Sequence, residues 1–291
     1  MNNNENNSYR RNYFSIVIPL YNKENFILST INSVLNQTYK YFEIIIINDG
    51  STDNSLSKLN CLHDDRIKII NKENGGVSES RNIGIQEAKY DWIAFLDADD
   101  FWDENYLQEA NRMINTYPKA DIIGTNYNCI IFPNYKQYSK EGYISNYFEI
   151  NLKEYLFSSS SVIVQKKCFQ NIKFKNYLKN GEDIEMWYQL AKHYKIAYNP
   201  SILSFYRKEV STESKRIRNI SVENDWSYYI DFKNCNNDPY EKRYLYKIVA
   251  SSSISLFRNN NYASLLRLIK KHGLFNIYRS IVEVIIIKFK K

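Results

Sequence analysis

Along the first two thirds of the chain, short uncharged apolar runs alternate with stretches whose apolar residues recur at every third or fourth position. Phe14 to Leu20 predicts a strand stopped by Pro19, and Phe26, Ile27, Thr30, Ile31, Val34 and Leu35 then fall at helical spacing. Glu43 to Ile47 predicts a second buried strand. It runs into the turn-rich loop Asn48-Asp49-Gly50-Ser51-Thr52-Asp53, whose Ser and Asp side chains suit a helix cap. Ile67 to Ile70, a Gly75-Gly76 turn, a helix over Val77 to Ala88 and a strand over Trp92 to Leu96 repeat the unit. Strands alternating with helices predict an α/β fold with a mostly parallel sheet flanked by helices.

Further along, Tyr106, Leu107, Ala110, Met113 and Ile114 mark an amphipathic helix, and Asp121 to Gly124 a short strand. From Thr125 to Leu156 many Tyr and Asn residues follow without periodicity, as expected of a surface excursion that shapes a cleft. Val162 to Val164 restores a strand. After Gly181-Glu182-Asp183, the residues Ile184, Trp187, Leu190, Ala191 and Tyr194 lie on one helical face. Beyond about residue 212 the pattern changes to helix-like runs over 244–257 and 262–269. It ends in an apolar stretch, 274–291, with a basic terminus. These shifts divide the chain into an Asn-rich disordered tail (1–12), an α/β domain (13–211) and a C-terminal helical region (212–291).

Composition narrows the classes. The net charge of +7 is spread through a chain rich in Lys throughout and comes with no nucleic-acid signature, so no nucleic-acid partner is expected. Cys61, Cys129, Cys168 and Cys235 lack the paired spacing of a zinc site or disulfide framework. The polar N-terminus has no signal-peptide core, and no apolar run reaches the roughly 20 residues that span a bilayer. A cytoplasmic protein is expected. The terminal apolar stretch, 274–291, fits either an anionic inner-membrane interface, as a peripheral contact, or packing on the domain or on a second subunit as a homodimer.

The chemistry gathers at strand ends. Trp92 to Leu96 finishes in Asp97-Ala98-Asp99-Asp100, and the carboxyl end of a parallel strand is where such sheets bind ligands. Crowded carboxylates either share a hard cation, Mg²⁺ or Mn²⁺, which in turn suits a diphosphate, or cap the following helix. Tyr21 and Lys23 leave the first strand at the same edge with a ring and a cation. Asp49 closes the second strand, where it can accept from a base or ribose, and Arg81 offers fixed donors after Gly75-Gly76. No Gly-x-Gly-x-x-Gly follows the first strand, which argues against a dinucleotide oxidoreductase.

In order and spacing, Ile18-Pro19-Leu20-Tyr21-Asn22, Asn48 to Asp53, Asn74-Gly75-Gly76 with Ser80-Arg81-Asn82, Leu96 to Asp100 and Gly181-Glu182-Asp183 resemble the motifs of family 2 glycosyltransferases over about Phe14 to Arg207. The resemblance implies a GT-A fold, a nucleotide-diphosphate-sugar donor such as a UDP-hexose or UDP-N-acetylhexosamine, a divalent cation and inversion at the anomeric carbon. It implies donor binding by Pro19, Leu20, Tyr21, Lys23, Asp49, Arg81, Asp97, Ala98 and Asp99, with Asp49 and Arg81 on the base. It also implies metal binding by Asp99 and Asp97, and Asp183 as the base, assisted by Glu182. The implied acceptor is a surface glycan or a lipid-linked oligosaccharide. Two departures stand out: Tyr206-Arg207 is followed by Lys208-Glu209 without the histidine common in relatives, and Gln189 stands where many carry an arginine. A sugar-phosphate nucleotidyltransferase would carry a Gly-rich basic loop after the first strand, where this chain has Pro19-Leu20-Tyr21-Asn22. A degenerate scaffold that binds nucleotide sugar is the remaining alternative, against which Asp97, Asp99 and Asp183 count.

Overall fold

The computed structural model describes residues 10–128, 138–207, 221–235 and 238–289. Its strands are β1 (Phe14–Leu20), β2 (Phe42–Asp49), β3 (Ile67–Lys72), β4 (Trp92–Phe95), β5 (Phe101–Trp102), β6 (Ile122–Asn128), β7 (Gly142–Tyr143), β8 (Val162–Gln165) and β9 (Ile196–Phe205). Its longer helices are α1 (Ile27–Leu35), α2 (Ser55–Leu59), α3 (Val77–Glu87), α4 (Tyr106–Thr116), α5 (Tyr147–Lys153) and α6 (Glu182–His193). After these come α7 (Trp226–Tyr229), α8 (Pro239–Arg258), α9 (Tyr262–His272) and α10 (Leu274–Phe289).

One sheet holds the strands in the order β3-β2-β1-β4-β8-β6-β9-β5, with β7 on β9. The half that the repeating pattern predicts, β3-β2-β1-β4, is parallel throughout. The second half is mixed: β8 runs antiparallel between β4 and β6, while β6 and β9 are parallel. Period-two geometry divides the β1 side chains between two cores. Ile16 and Ile18 join α1 and α4 on one face, and Val17 joins Phe95, Trp187 and the C-terminal helices on the other. The β2 and β4 runs are buried on both faces, which explains their unbroken apolar sequence.

Two expectations meet structure that differs from them in detail, and one strand was not anticipated. The aperiodic stretch after Thr125 contains β7 and α5, the latter capped where the Asn146 side chain accepts from Glu149 N; residues 129–137 lie outside the described ones. Strand β9 escapes the periodicity because Asn199-Pro200-Ser201 interrupts it, at a register shift against β6. Within the expected tail, Asn12 N is held by Tyr39 Oη at 3.1 Å and Arg11 lies over the Tyr41 ring; residues 1–9 lie outside the described ones. The expected boundary at 211/212 falls within 208–220, also outside them. Helix α8 packs on α5, and its Tyr244, Leu245 and Val249 share a core with Tyr147, Trp187 and Tyr188. No helix among the described residues is long and apolar enough to cross a membrane.

Candidate active site

The carboxyl ends of β1, β2 and β4 and the first turn of α6 meet at one cleft. After β1, the chain turns through Asn22, a non-glycine residue at φ 50°, whose side-chain oxygen accepts from Thr52 N at 2.8 Å. Lys23 N and Glu24 N are tied to Ser55 and Asp53, so the loops after β1 and β2 brace one another. This turn leaves Tyr21 half-buried and directs Lys23 Nζ onto the Asp99 carboxylate. Leu20, expected at the donor, keeps its side chain in the α1-side core with Ile16 and Ile18, because β1 alternation sends all three the same way. Leu20 therefore offers backbone only. The same holds for Ala98, which is buried and whose carbonyl accepts from Thr30 Oγ1 at 3.0 Å.

Asp49, at the end of β2, is 3% exposed. Gly75 N and Gly76 N each donate to its carboxylate at 2.9 Å, and Lys72 Nζ approaches at 2.5 Å. Gly76 sits at φ 96°, a left-handed conformation open to glycine, and this turns its N–H toward Asp49. Lys72 also pairs with Glu79 at 2.9 Å. Sequence reasoning missed Lys72 and Glu79. The available signal was position: Lys72 ends β3 at the same sheet edge as Asp49 and Asp99.

Arg81, expected with Asp49 on the base, is engaged by acids. Its side chain is 3% exposed, with Nη2 on Asp97 at 2.8 Å and Nη1 on Glu182 at 3.2 Å. The reason is helical register: Arg81 lies more than a turn into α3, on the face that packs toward β4 and α6, and its guanidinium rests over the Phe174 ring. Burial works against its charge, but Asp97, Glu182 and Asp183 outweigh that and hold it protonated. The arginine thus links the end of β4 to the start of α6, and Glu182 lies 101 residues beyond it in sequence.

The acids differ in environment. Asp100 is buried, takes Ser160 Oγ at 2.5 Å and Arg207 N at 3.3 Å, and burial together with Asp97 and Asp99 pushes its carboxyl up. Burial and the adjacent Asp183 push Glu182 up to about 7, although Arg81 opposes this. Gly181, at φ 72°, precedes α6 and places Asp183 in the first turn, where Ser159 Oγ stands 3.4 Å from Oδ2. The short Ser159–Ser161 turn that serves both Asp183 and Asp100 carries no periodic signal in sequence. Arg207 is tied to Ser29 Oγ at 2.7 Å and stacks on Phe101; Lys208 and Glu209 lie outside the described residues. Gln189 donates to Glu185 within its own helix.

Among the described residues no three His, Cys, Asp or Glu side chains form a metal cage. What the cleft offers is Asp99, partly exposed beside Lys23, with Asp97 partly exposed behind it on Arg81. That donor set fits Mg²⁺ or Mn²⁺ held by one or two carboxylates and completed by ligand phosphate oxygens.

Comparison with known proteins bears on the fold and the family. The structure of Staphylococcus aureus TarS residues 1–349 in complex with UDP-GlcNAc superposes with a TM-score of 0.68 at 18% identity, covering 94% of this chain and 89% of that one. The mannosyltransferase PcManGT from Pyrobaculum calidifontis, in complex with GDP-Man and Mn²⁺, gives 0.62 at 13% identity, covering 97% and 82%. These likenesses show the fold, which is of the GT-A type. An uncharacterized glycosyltransferase of Rickettsia felis is 29% identical over 234 residues, 74% of this chain. The chain spans only 38% of that protein's length, and 38% and 30% of two other rickettsial relatives. A sequence-family model described as Glycosyl transferase family 2 matches residues 15–175, more than half of the chain, and the chain belongs to that family.

Proposed function

We propose that the chain transfers a hexose or N-acetylhexosamine from its UDP conjugate to a hydroxyl of a growing surface glycan or lipid-linked oligosaccharide, with inversion. The expected setting is the cytoplasm, at the cytosolic face of the inner membrane. The observation that carries the reading is the Arg81 bridge, which holds the carboxylates of Asp97 and Glu182 on one guanidinium, with Asp99 and Asp183 beside them in sequence. Catalysis by inversion requires such an arrangement: charge compensation at the departing diphosphate and a base on the opposite face of the sugar. The UDP-GlcNAc and GDP-Man complexes of TarS and PcManGT support a nucleotide-sugar donor.

Each step falls to a residue of the chain. Asp49, with its amide and Lys72 partners, forms the base-side wall, and Tyr21 covers it. Lys23 and Arg81 hold positive charge around the diphosphate. When bound at Asp99 and Asp97, a divalent cation supplies further positive charge against the leaving group. Asp183 takes the acceptor hydroxyl's proton as that oxygen bonds to the anomeric carbon. The bond to the diphosphate breaks, and its electron pair departs with UDP. Asp183 stands in the first turn of α6, and Glu182 orients the acceptor.

Calorimetric titration with UDP, GDP and dTDP, with and without Mn²⁺, tests the reading without knowledge of the acceptor. UDP should bind in a Mn²⁺-dependent manner, and Asp99→Ala should abolish the metal-dependent part. Absence of binding by any of the three to the folded protein would sink the donor assignment.

A further inference from the structure

Both carboxylates that suit a divalent cation already hold a positive group of the chain. Asp97 Oδ1 takes Arg81 Nη2 at 2.8 Å, and Asp99 Oδ2 takes the Lys23 ammonium. The two countercharges differ in how firmly they are held. Arg81 is buried, bridges Asp97 to Glu182 and rests over the Phe174 ring. Taking a carboxylate from it would leave a buried charge short of its partner, which is strongly unfavourable. Arg81 is therefore a fixed part of the cleft.

Lys23 is placed differently. Its side chain is 25% exposed and that of Asp99 23%, so the pair lies open to an entering ligand. The Lys23 backbone N–H is held on Ser55 Oγ at 2.8 Å, and the following N–H on Asp53 at 3.0 Å. Those bonds fix the backbone, while the four-carbon stem and its rotatable ammonium can change partners.

We propose that Lys23 is an exchangeable counter-ion, which neutralises Asp99 until a nucleotide diphosphate enters, then carries its ammonium to a phosphate oxygen and yields Asp99 to the divalent cation. The inference rests on the donor reading above and adds to it the linkage between the two ligands. A divalent cation on Asp99 meets the ammonium as a like charge, and like charges about 4 Å apart repel strongly in a partly desolvated cleft. A diphosphate removes the conflict, because its oxygens accept charge-assisted bonds from Lys23. Cation and nucleotide then each raise the affinity for the other by the same factor.

Two titrations of the full chain test this. Mn²⁺ alone, followed by the paramagnetic resonance of the unbound aquo ion, should bind about tenfold more tightly to Lys23→Gln than to the unsubstituted protein, since the competing charge is gone. Adding Asp99→Ala should abolish that gain, and Lys23→Arg, which keeps the charge, should not show it. UDP at saturating Mn²⁺ should bind Lys23→Gln about three- to tenfold more weakly, since a phosphate partner is gone. The opposite signs matter, because a merely structural role for Lys23 would weaken both ligands together. In the unsubstituted protein, with no variant needed, UDP should tighten Mn²⁺ at least tenfold. Mn²⁺ affinity that is unchanged or weaker in Lys23→Gln, a gain that survives Asp99→Ala, or UDP binding that leaves Mn²⁺ affinity unchanged would each overturn the proposal. Failure of the donor reading looks different: no UDP binds to the unsubstituted protein, and the Mn²⁺ comparison alone then decides whether Lys23 shields Asp99.

Discussion

Arg81 shows what a single side chain does when it is buried among acids. Its residue type and its distance after Gly75-Gly76 mark it as a site residue in the sequence, but its partners depend on which way α3 presents it. The cleft's ionisation follows from the same cluster. Glu182 titrates near 7 in the folded protein against 4.5 ordinarily, so between those values the folded form holds a proton that the unfolded chain has released. Stability from this group is present below about 4.5 and is lost as pH rises through about 7, by at most about 1.4 kcal/mol per pH unit. Urea unfolding across that window should show the decline, and Glu182→Gln, with no proton to lose, should flatten it; an unchanged slope would place the titration elsewhere. Asp183→Asn removes the base and leaves the donor cleft intact. Turnover should fall about 10²- to 10⁴-fold while UDP affinity stays the same, and retained turnover would remove Asp183 from that role.

Among the elements, legibility follows burial. Strands β1, β2 and β4 are enclosed on both faces and read as unbroken apolar runs with sharp ends, and the amphipathic α4 and α6 stand out by their apolar spacing. Strand β9 and helix α5 did not, because polar and aromatic residues within them satisfy neighbours distant in sequence, as Asn199 does with Glu109. Contact between elements leaves its own trace in Gly84 of α3. A Cβ there would lie 2.2 Å from Val17 Cγ1 on β1, so the absence of a side chain is what lets the helix seat on the sheet and carry Arg81 to the cleft. Gly84→Ala should destabilise the protein by about 1–3 kcal/mol through overpacking, less up to about 1 kcal/mol of helix propensity. Thermal unfolding would register this as a lower Tm, and an unchanged or higher Tm would mean that α3 shifts freely on the sheet.

For the molecule as a whole, the C-terminal helices do not behave as an appendix in packing terms: Tyr244, Leu245 and Val249 of α8 are buried in the core that holds Trp187 and Phe95. Unfolding should therefore be a single transition, coincident in tryptophan fluorescence and far-UV circular dichroism; two separated transitions would show that the helical region folds by itself. Tyr244→Ala should shift that one transition as a unit, by about 3–5 kcal/mol. By itself the sequence determined the α/β class, the positions of the strand ends and the order of the acidic motifs, because burial periodicity and turn chemistry are local properties of the chain. Only the tertiary structure decided that β8 enters the sheet antiparallel, that Arg81 bridges Asp97 to Glu182, that Lys72 closes on Asp49, and that α8 packs into the core beside Trp187. Each of these depends on which residues, far apart along the chain, packing and charge neutralisation bring face to face.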